Sequence, residues 1–202
     1  MRILLIGATG TIGQAIARAL AGHEIVRASR HGDQPVDITD PASTRALYAR
    51  VGPVDAIVCA AGGGAWKPLA ELTDDDFARS LRDKLMGQVN VVRYGFDVVR
   101  DGGSITVTSG YLAREPMVGS AAVSLLNAGL EGFARAAALE APRGIRVNVV
   151  SPGWVSETLA AMGQDPANGI PADAVAQVYV ESVTGAATGV VMPAMPAGTT
   201  GG

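Results

Sequence analysis

Short apolar runs alternate with longer helical segments along most of this 202-residue chain. The runs that suit β-strands cover residues 3–6, 24–28, 56–59, 104–108, 146–150 and 189–192. Apolar runs separated by amphipathic helices are typical of parallel strands that helices cover on both faces. The sequence therefore predicts an α/β fold built on a parallel sheet. The length, and the lack of an internal repeat or linker-like stretch, predict a single domain over residues 1–202.

Capping residues and hydrophobic periodicity place the helices between these strands. A capping residue or a proline marks three helix starts, at Asp40, Thr73 and Pro171. These signals predict helices over residues 41–50, 74–99 and 171–182. Apolar residues spaced by three and four predict a long buried helix over residues 120–141. Residues 193–202 are rich in Pro, Gly and Thr, so we expect a loose tail or final loop there.

Composition excludes several classes of protein. With 48% hydrophobic and 17% charged residues the chain is globular rather than disordered. The net charge of -3, without a run of Lys or Arg, makes nucleic acid an unexpected partner. The single cysteine, Cys59, and the two histidines form no cluster with metal-ligand spacing, so we expect a cytoplasmic protein without a metal site. No apolar run approaches the ~20 residues of a membrane span, and the first run is too short for a signal peptide.

A glycine-rich turn at residues 7–13 follows the first predicted strand directly and leads into a helix over residues 14–20. Glycines at such a turn allow positive φ, a close approach of backbone N–H groups to a pyrophosphate, and tight packing of the helix on the sheet. An ordinary glycine-rich turn is the alternative interpretation. The candidate contacts to a dinucleotide pyrophosphate are Gly7, Thr9, Gly10, Thr11, Ile12 and Gly13.

The second predicted strand ends without the acidic residue that usually binds both hydroxyls of the adenosine ribose. Ser29 and Arg30 stand there instead, and an arginine pairs well with a 2′-phosphate. We therefore expect NADP(H) in preference to NAD(H), although Arg30 is also compatible with a solvated surface residue. Asp37 and Ile38, after a short third strand, would lie beside the adenine.

Four motifs together resemble the short-chain dehydrogenase/reductase family. They are residues 7–13 and the ends of three later strands, at residues 59–62, 107–109 and 151–153. The resemblance covers nearly the whole chain and implies a Rossmann-type, doubly wound sheet of order 3-2-1-4-5-6-7 that binds a nicotinamide dinucleotide. It also implies cofactor contacts from Ala60, Ala61, Gly62, Pro152, Gly153 and Val155.

The catalytic residues of that family are only partly present. Its serine corresponds to Ser109, but alignment of residues 127–130 with the family's Lys-Ala-Gly stretch puts Val123 at the tyrosine position and Asn127 at the lysine position. Lys84 stands where the family has an asparagine on the preceding helix. The asparagine and the lysine are thus exchanged between two helices that, by the resemblance, both face the nicotinamide.

A carbonyl that accepts hydride needs a proton, and Val123 has none to give. Tyr111, two residues after Ser109, is the candidate donor, and it would need Lys84 nearby to lower its pKa. We therefore predict a reactive cluster of Lys84, Ser109 and Tyr111, with Asn127 in a supporting hydrogen-bond role. The competing interpretation makes these residues core, solvated or loop side chains without a catalytic role.

The expected function is an NADP(H)-dependent oxidoreductase that acts on a small, mostly apolar carbonyl compound or alcohol. Trp154, Leu159 and Met162 are the candidate apolar lining of its substrate site. Two alternatives stay open: a dinucleotide-binding sensor or partner subunit without redox turnover, and a non-redox isomerase or lyase. The resemblance also implies a homo-oligomer, a dimer or tetramer, that packs through residues 73–99 and 120–141. Small residues on the second helix, Ala121, Ala128 and Ala136, would permit a close approach.

Overall fold

A computed structural model of the protein describes residues 1–195. Its centre is a seven-stranded sheet in which all paired strands are parallel. The strands lie side by side in the order β3-β2-β1-β4-β5-β6-β7, which confirms the expected doubly wound, Rossmann-type fold. Their bounds are β1 Arg2–Ile6, β2 Glu24–Ser29, β3 Gln34–Pro35, β4 Val54–Cys59, β5 Val99–Thr108, β6 Arg146–Pro152 and β7 Val191–Ala194.

Within residues 1–195, seven α-helices pack around this sheet. Their bounds are α1 Thr11–Ala19, α2 Pro41–Val51, α3 Asp74–Ser80, α4 Gly87–Gly95, α5 Ala121–Glu140, α6 Ser156–Ala161 and α7 Ala172–Thr184. Successive residues of β1 enter opposite cores, because strand side chains alternate between faces. Ile3 and Leu5 pack with residues of α1 and α7, whereas Leu4 and Ile6 pack with residues of α2, α4 and α5. No helix within residues 1–195 is both long enough and apolar enough to cross a membrane.

Two predicted boundaries differ from the structure by four residues or more. The predicted helix over residues 74–99 ends at Gly95 and contains a π-helical turn, Leu81–Met86, between α3 and α4. The next strand begins at Val99 rather than residue 104, because an irregularity shifts its pairing with β4. Gly103 makes that irregularity possible, since a Cβ there would lie 2.5 Å from the carbonyl oxygen of Asp55.

The predicted loose tail was also wrong at its start. Pro193 and Ala194 belong to β7, where they pair with Ser151 and Pro152 at the end of β6. Proline is tolerated in this strand because β7 lies at the edge of the sheet. Residues 196–202 lie outside the part of the chain that the structure describes.

The strand order creates a crevice where the connections from β1 and β4 depart in opposite directions. The two strands pair directly, and the residues that follow them, Gly7 and Ala60, are in close backbone contact. A Cβ at Gly7 would lie 2.6 Å from the carbonyl oxygen of Ala60. The fold thus brings the turn after β1 and the turn after β4 together at one edge of the sheet.

A buried carboxylate anchors the long loop between β4 and α3. Asp76 accepts hydrogen bonds from Lys67 Nζ at 2.9 Å and from the backbone N–H of Thr73 at 3.1 Å. Thr73 in turn caps the helix through the N–H of Asp76, which completes a capping box. The hydrogen bond from Lys67, followed by that from Thr73, lowers the pKa of Asp76 to about 2.

The lowered pKa of Asp76 predicts a pH-dependent contribution to stability. A carboxylate whose pKa is lower in the folded state stabilises the protein above its unfolded pKa, and this stabilisation is lost as the pH falls toward the folded value. The stability difference between the wild type and Asp76→Asn should therefore shrink as the pH falls from about 4 to about 2. Urea unfolding at several pH values measures it, and a constant difference would contradict the assignment.

The homo-oligomer stays a prediction, and α5 offers a surface for it. Ala128, Gly132 and Ala136 are exposed on this helix, so a second helix could approach its backbone closely. If α5 packs against a second copy, Ala128→Arg should lower the mass of the assembly without lowering helix content. Sedimentation equilibrium at micromolar concentration measures the mass, and a wild-type monomer would contradict the prediction.

Candidate functional site

The turn from β1 into α1 exposes backbone donors at the crevice. Gly7 has φ +86°, and a Cβ at Gly13 would overlap the carbonyl oxygen of Gly7. The first intrahelical bond of α1 runs from the N–H of Gln14 to Gly10 O at 2.9 Å. The N–H groups of residues 11–13 precede that bond, and the positive end of the helix dipole lies there. This geometry suits a phosphate group.

A first cavity of about 410 Å³ extends from this turn to the end of β2. Ten residues predicted from the sequence line it: Gly7, Thr9, Gly10, Ser29, Arg30, Asp37, Ile38, Ala60, Ala61 and Gly62. Arg30 is exposed, and within residues 1–195 its guanidinium has no hydrogen-bond or ion-pair partner. Sequence reasoning missed four further lining residues, Ile6, Val36, Gly63 and Asp83.

A second cavity of about 520 Å³ adjoins the first, and both are lined by Ala60, Ala61 and Gly62. Eight further residues that the sequence predicts as part of the site line this second cavity: Ile12, Lys84, Ser109, Tyr111, Asn127, Pro152, Gly153 and Val155. Thr11 and Gly13 line neither cavity, because Thr11 is the exposed first residue of α1 and Gly13 is buried against Gly7.

Lys84 enters the second cavity from the π-helical turn, a feature that is frequent at functional sites. Its Cα packs closely on Gly62, where a Cβ would come within 2.8 Å of it and where φ is +109°. Lys84 Nζ donates a hydrogen bond to the backbone oxygen of Ser109 at 2.8 Å. Burial lowers the pKa of Lys84 to about 8, so the group exchanges protons more readily than an ordinary lysine.

The Ser109 side chain forms a hydrogen bond with a residue that the sequence did not predict as part of the site. Ser109 is buried, and its Oγ donates a hydrogen bond to Glu131 Oε1 at 2.9 Å. Glu131 is also buried and lies one helical turn after Asn127 on α5. The spacing of four from Val123 to Asn127 to Glu131 was the available signal, because it places an acid on the face of α5 that lines the site.

Tyr111 lines the same cavity, but its ionisation differs from the expectation. Burial, followed by the negative charge of the Glu115 carboxylate, raises the pKa of Tyr111. The expected lowering of this pKa by Lys84 is therefore not found. The Tyr111 hydroxyl remains a hydrogen-bond donor over a wide pH range.

Asn127 contributes a buried acceptor to the second cavity. The side chain is 1% exposed, and within residues 1–195 its Oδ1 has no hydrogen-bond partner. Its Nδ2 lies against Gly110, where a Cβ would approach to 2.8 Å. Because buried polar atoms are normally paired, the Oδ1 atom points to a ligand group that donates a hydrogen bond.

Apolar side chains surround the outer part of the second cavity. Leu112, Met117, Val123 and Trp154 line it, and the Trp154 ring makes an edge-to-face contact with Trp66 at 5.6 Å between centroids. Two predicted lining residues were wrong. Leu159 is 3% exposed in the core, and Met162 is 55% exposed at the end of α6, so neither reaches the cavity. Thr158, one turn into α6, lines it instead.

Buried hydrogen bonds fix the end of β5, from which Ser109 and Tyr111 emerge. Gln88 on α4 accepts from the N–H of Thr108 at 2.7 Å and donates to its carbonyl at 2.8 Å. Thr108 Oγ1 donates to Cys59 O at 2.6 Å. Cys59 is buried in the core, and its burial raises the pKa of the thiol to about 12.

Comparisons with known proteins agree with this geometry. Residues 23–187 match the protein family described as enoyl-(acyl carrier protein) reductase. A 3-oxoacyl-[acyl-carrier-protein] reductase of Rattus norvegicus is 34% identical over 111 residues, 54% of this chain and 47% of that protein. The chain thus aligns with about half the length of this curated relative.

Solved structures are similar over nearly the whole chain. The protein lin1944 of Listeria innocua is 41% identical with a TM-score of 0.92, over 96% of this chain and 98% of that one. A small-chain dehydrogenase solved in complex with NADPH is 24% identical with a TM-score of 0.85, over 96% and 95% of the two chains. At that identity the second likeness supports the fold alone.

The lowered pKa of Lys84 predicts a change of stability at alkaline pH. The folded state disfavours the charged amine, so this cost is present below about pH 8 and disappears as the pH rises toward the ordinary lysine value of about 10.4. The stability of the wild type relative to Lys84→Met should therefore increase over that interval. Urea unfolding of both proteins measures it, and a difference independent of pH would contradict the shift.

Proposed function

Because the chain belongs to the short-chain dehydrogenase/reductase family, we propose that it is an NADP(H)-dependent oxidoreductase that acts on a small, mostly apolar carbonyl compound or alcohol. The main support for this proposal is the pair of adjoining cavities, both of which are lined by Ala60, Ala61 and Gly62. One cavity suits the adenosine half of a dinucleotide, and the other suits the nicotinamide half together with a substrate.

The residues at the junction suit a pyrophosphate. The N–H groups at the start of α1 provide donors, and the close backbone contact between Gly7 and Ala60 brings the turns after β1 and β4 together beside them. In sheets of this doubly wound order, dinucleotides bind at the crevice outside the carboxyl ends of the strands, which supports the choice of ligand.

Arg30 would hold the 2′-phosphate of NADP(H) at the far end of the first cavity. Its guanidinium is exposed and is unpaired within residues 1–195, so binding a phosphate would not break an existing ion pair. Guanidinium and phosphate form strong charge-assisted hydrogen bonds. Ser29, buried beside Arg30, and Asp37 complete the polar lining at this end.

Lys84 and Asn127 would hold the nicotinamide riboside in the second cavity. The Oδ1 atom of Asn127 can accept a hydrogen bond from a ribose hydroxyl, and the Lys84 ammonium retains donors beyond its bond to Ser109 O. Bound there, the nicotinamide would exchange a hydride with the substrate carbon. Within the NADP(H) proposal, Asn127 and Lys84 together replace the lysine that the family usually has at the Asn127 position.

The substrate would bind among the apolar side chains at the outer part of this cavity. Leu112, Met117, Val123 and Trp154 favour an apolar body, while Ser109 and Tyr111 supply the hydroxyls near its oxygen. The positive charge of Lys84 would stabilise the negative charge that develops on that oxygen. Tyr111, with its raised pKa, would act as a hydrogen-bond donor to the oxygen.

One observation favours a second candidate, a dinucleotide-binding protein without redox turnover. Burial and the nearby carboxylate of Glu115 raise the pKa of Tyr111, and Val123 stands where the resemblance puts the family's tyrosine, so neither position offers an ordinary tyrosine acid. A protein that only binds the dinucleotide would bind NADPH. It would not oxidise NADPH in the presence of any aldehyde, ketone or quinone of a test panel.

Arg30→Asp tests the preference for NADP(H). It should raise the Kd for NADPH by about ten- to hundredfold, because charge-assisted hydrogen bonds contribute about 1.5–3 kcal/mol each, and it should change the Kd for NADH much less. Fluorescence titration of both cofactors measures the constants. Arg27→Asp is the matched control, since Arg27 is exposed on β2, the strand that precedes Arg30, and does not line the cavity. Tighter binding of NADH than NADPH by the wild type would contradict the proposal.

Three substitutions test the reactive cluster. Lys84→Met, Ser109→Ala and Tyr111→Phe should each lower kcat at least tenfold, or about 1.4 kcal/mol. Each removes a charge or hydrogen bond at the substrate oxygen. The last two should leave the Kd for NADPH within about twofold, because neither hydroxyl is assigned to the cofactor. Steady-state kinetics measures kcat, and unchanged turnover in all three would favour the role without redox turnover.

A further inference from the structure

Glu131 is a buried acid that the proposed function has not used. Its side chain is 7% exposed in the middle of α5. The hydrogen bond from Ser109 Oγ reaches Oε1, and Arg114 Nε lies 3.9 Å from Oε2. Arg135 lies one helical turn after Glu131 on α5, and Lys84 Nζ bonds the backbone oxygen of Ser109. A buried carboxylate is costly unless it is well paired, so its presence beside a reactive cluster calls for a role.

The direction of the hydrogen bond limits what Ser109 can do. A serine hydroxyl has one hydrogen, and here that hydrogen is donated to the Glu131 carboxylate. Toward any other partner, Ser109 Oγ can therefore act only as an acceptor. It can accept a hydrogen bond from the hydroxyl of an alcohol substrate. It can donate to a carbonyl oxygen only after Glu131 has gained a proton and no longer draws the serine hydrogen.

We propose that Ser109 and Glu131 form a two-residue proton relay, in which Ser109 contacts the substrate oxygen and Glu131 stores the proton. The proposal rests on the proposed function, because it assigns the second cavity to an alcohol or carbonyl substrate. Glu131 acts through Ser109, so it is a positioning and proton-storing residue rather than a group that touches the substrate. The relay supplies the proton that a tyrosine at the position of Val123 would otherwise supply.

The step balances in both directions. In alcohol oxidation, the C–H bond of the carbinol carbon breaks as a hydride passes to NADP⁺. The alcohol O–H proton passes to Ser109 Oγ, and the former Ser109 proton passes to the Glu131 carboxylate. The products are a carbonyl compound, NADPH and a neutral Glu131. In carbonyl reduction, NADPH supplies the hydride, and the proton of neutral Glu131 reaches the new alcohol through Ser109.

Glu131→Gln separates proton storage from simple positioning. Glutamine has the same shape and can still accept a hydrogen bond from Ser109, but it cannot take the proton. With any substrate pair that the wild type turns over, Glu131→Gln should lower kcat at least tenfold while the Kd for NADPH stays unchanged. Glu140→Gln is the matched control, because Glu140 is exposed at the end of the same helix. Adding Glu131→Gln to Ser109→Ala should cause no further loss.

A second readout needs no turnover. Cyclohexanone added to the complex of the protein with NADP⁺ cannot be reduced, yet the relay requires that its binding protonates Glu131. Calorimetry in two buffers of different ionisation enthalpy should therefore show proton uptake in the wild type and in Glu140→Gln. It should show none in Glu131→Gln. Thermal unfolding of each variant, monitored by circular dichroism, establishes that the fold is retained.

The outcomes distinguish the relay from the proposed function. Near wild-type kcat in Glu131→Gln, or ketone binding with the same proton uptake in that variant, overturns the relay alone. Wild-type ketone binding without proton uptake also overturns it. If NADP⁺ or cyclohexanone does not bind to any of the proteins, the assignment of the cavities fails, and the relay fails with it.

Discussion

Backbone contact between neighbouring strand ends is the constraint on which the site depends. Gly7 touches the carbonyl of Ala60, Gly13 packs on Gly7, and Gly62 packs on the Cα of Lys84. At each of these places a Cβ would come within 3 Å of another backbone atom. These contacts set the spacing of β1, α1, the turn after β4 and the π-helical turn. They also form one crevice in which peptide N–H groups are accessible to a ligand.

The second constraint is the set of buried polar contacts around the end of β5. Gln88 holds Thr108 through both backbone groups, and Lys84 holds the carbonyl of Ser109. These bonds fix the strand end, so the side chains of Ser109 and Tyr111 leave it in set directions. The result is a cavity in which the Lys84 ammonium, the Asn127 amide oxygen and the hydroxyls of Ser109 and Tyr111 lie close to an apolar surface. In the proposed function, these groups serve hydride transfer to or from a small substrate.

Much of the fold was predictable because it depends on local patterns. Alternating apolar runs indicated the parallel sheet, and the glycine turn at residues 7–13 located the crevice. The irregularity between β4 and β5 was not predictable, because the contact of Gly103 with Asp55 O joins residues distant in sequence. The same holds for the site. The motif positions correctly predicted that Lys84, Ser109, Tyr111 and Asn127 lie at one site. That Ser109 contacts Glu131 and that Glu115 lies near Tyr111 depends on side-chain directions, which the packing of the folded chain determines.

In the proposed function, the two adjoining cavities form one binding site for NADP(H). A crystal structure of the protein grown with NADPH tests it most directly. In that structure we expect the pyrophosphate on the N–H groups at the start of α1, the 2′-phosphate at Arg30, and the nicotinamide riboside beside Lys84 and Asn127. A dinucleotide bound outside this crevice, or a nicotinamide directed away from the second cavity, would contradict it.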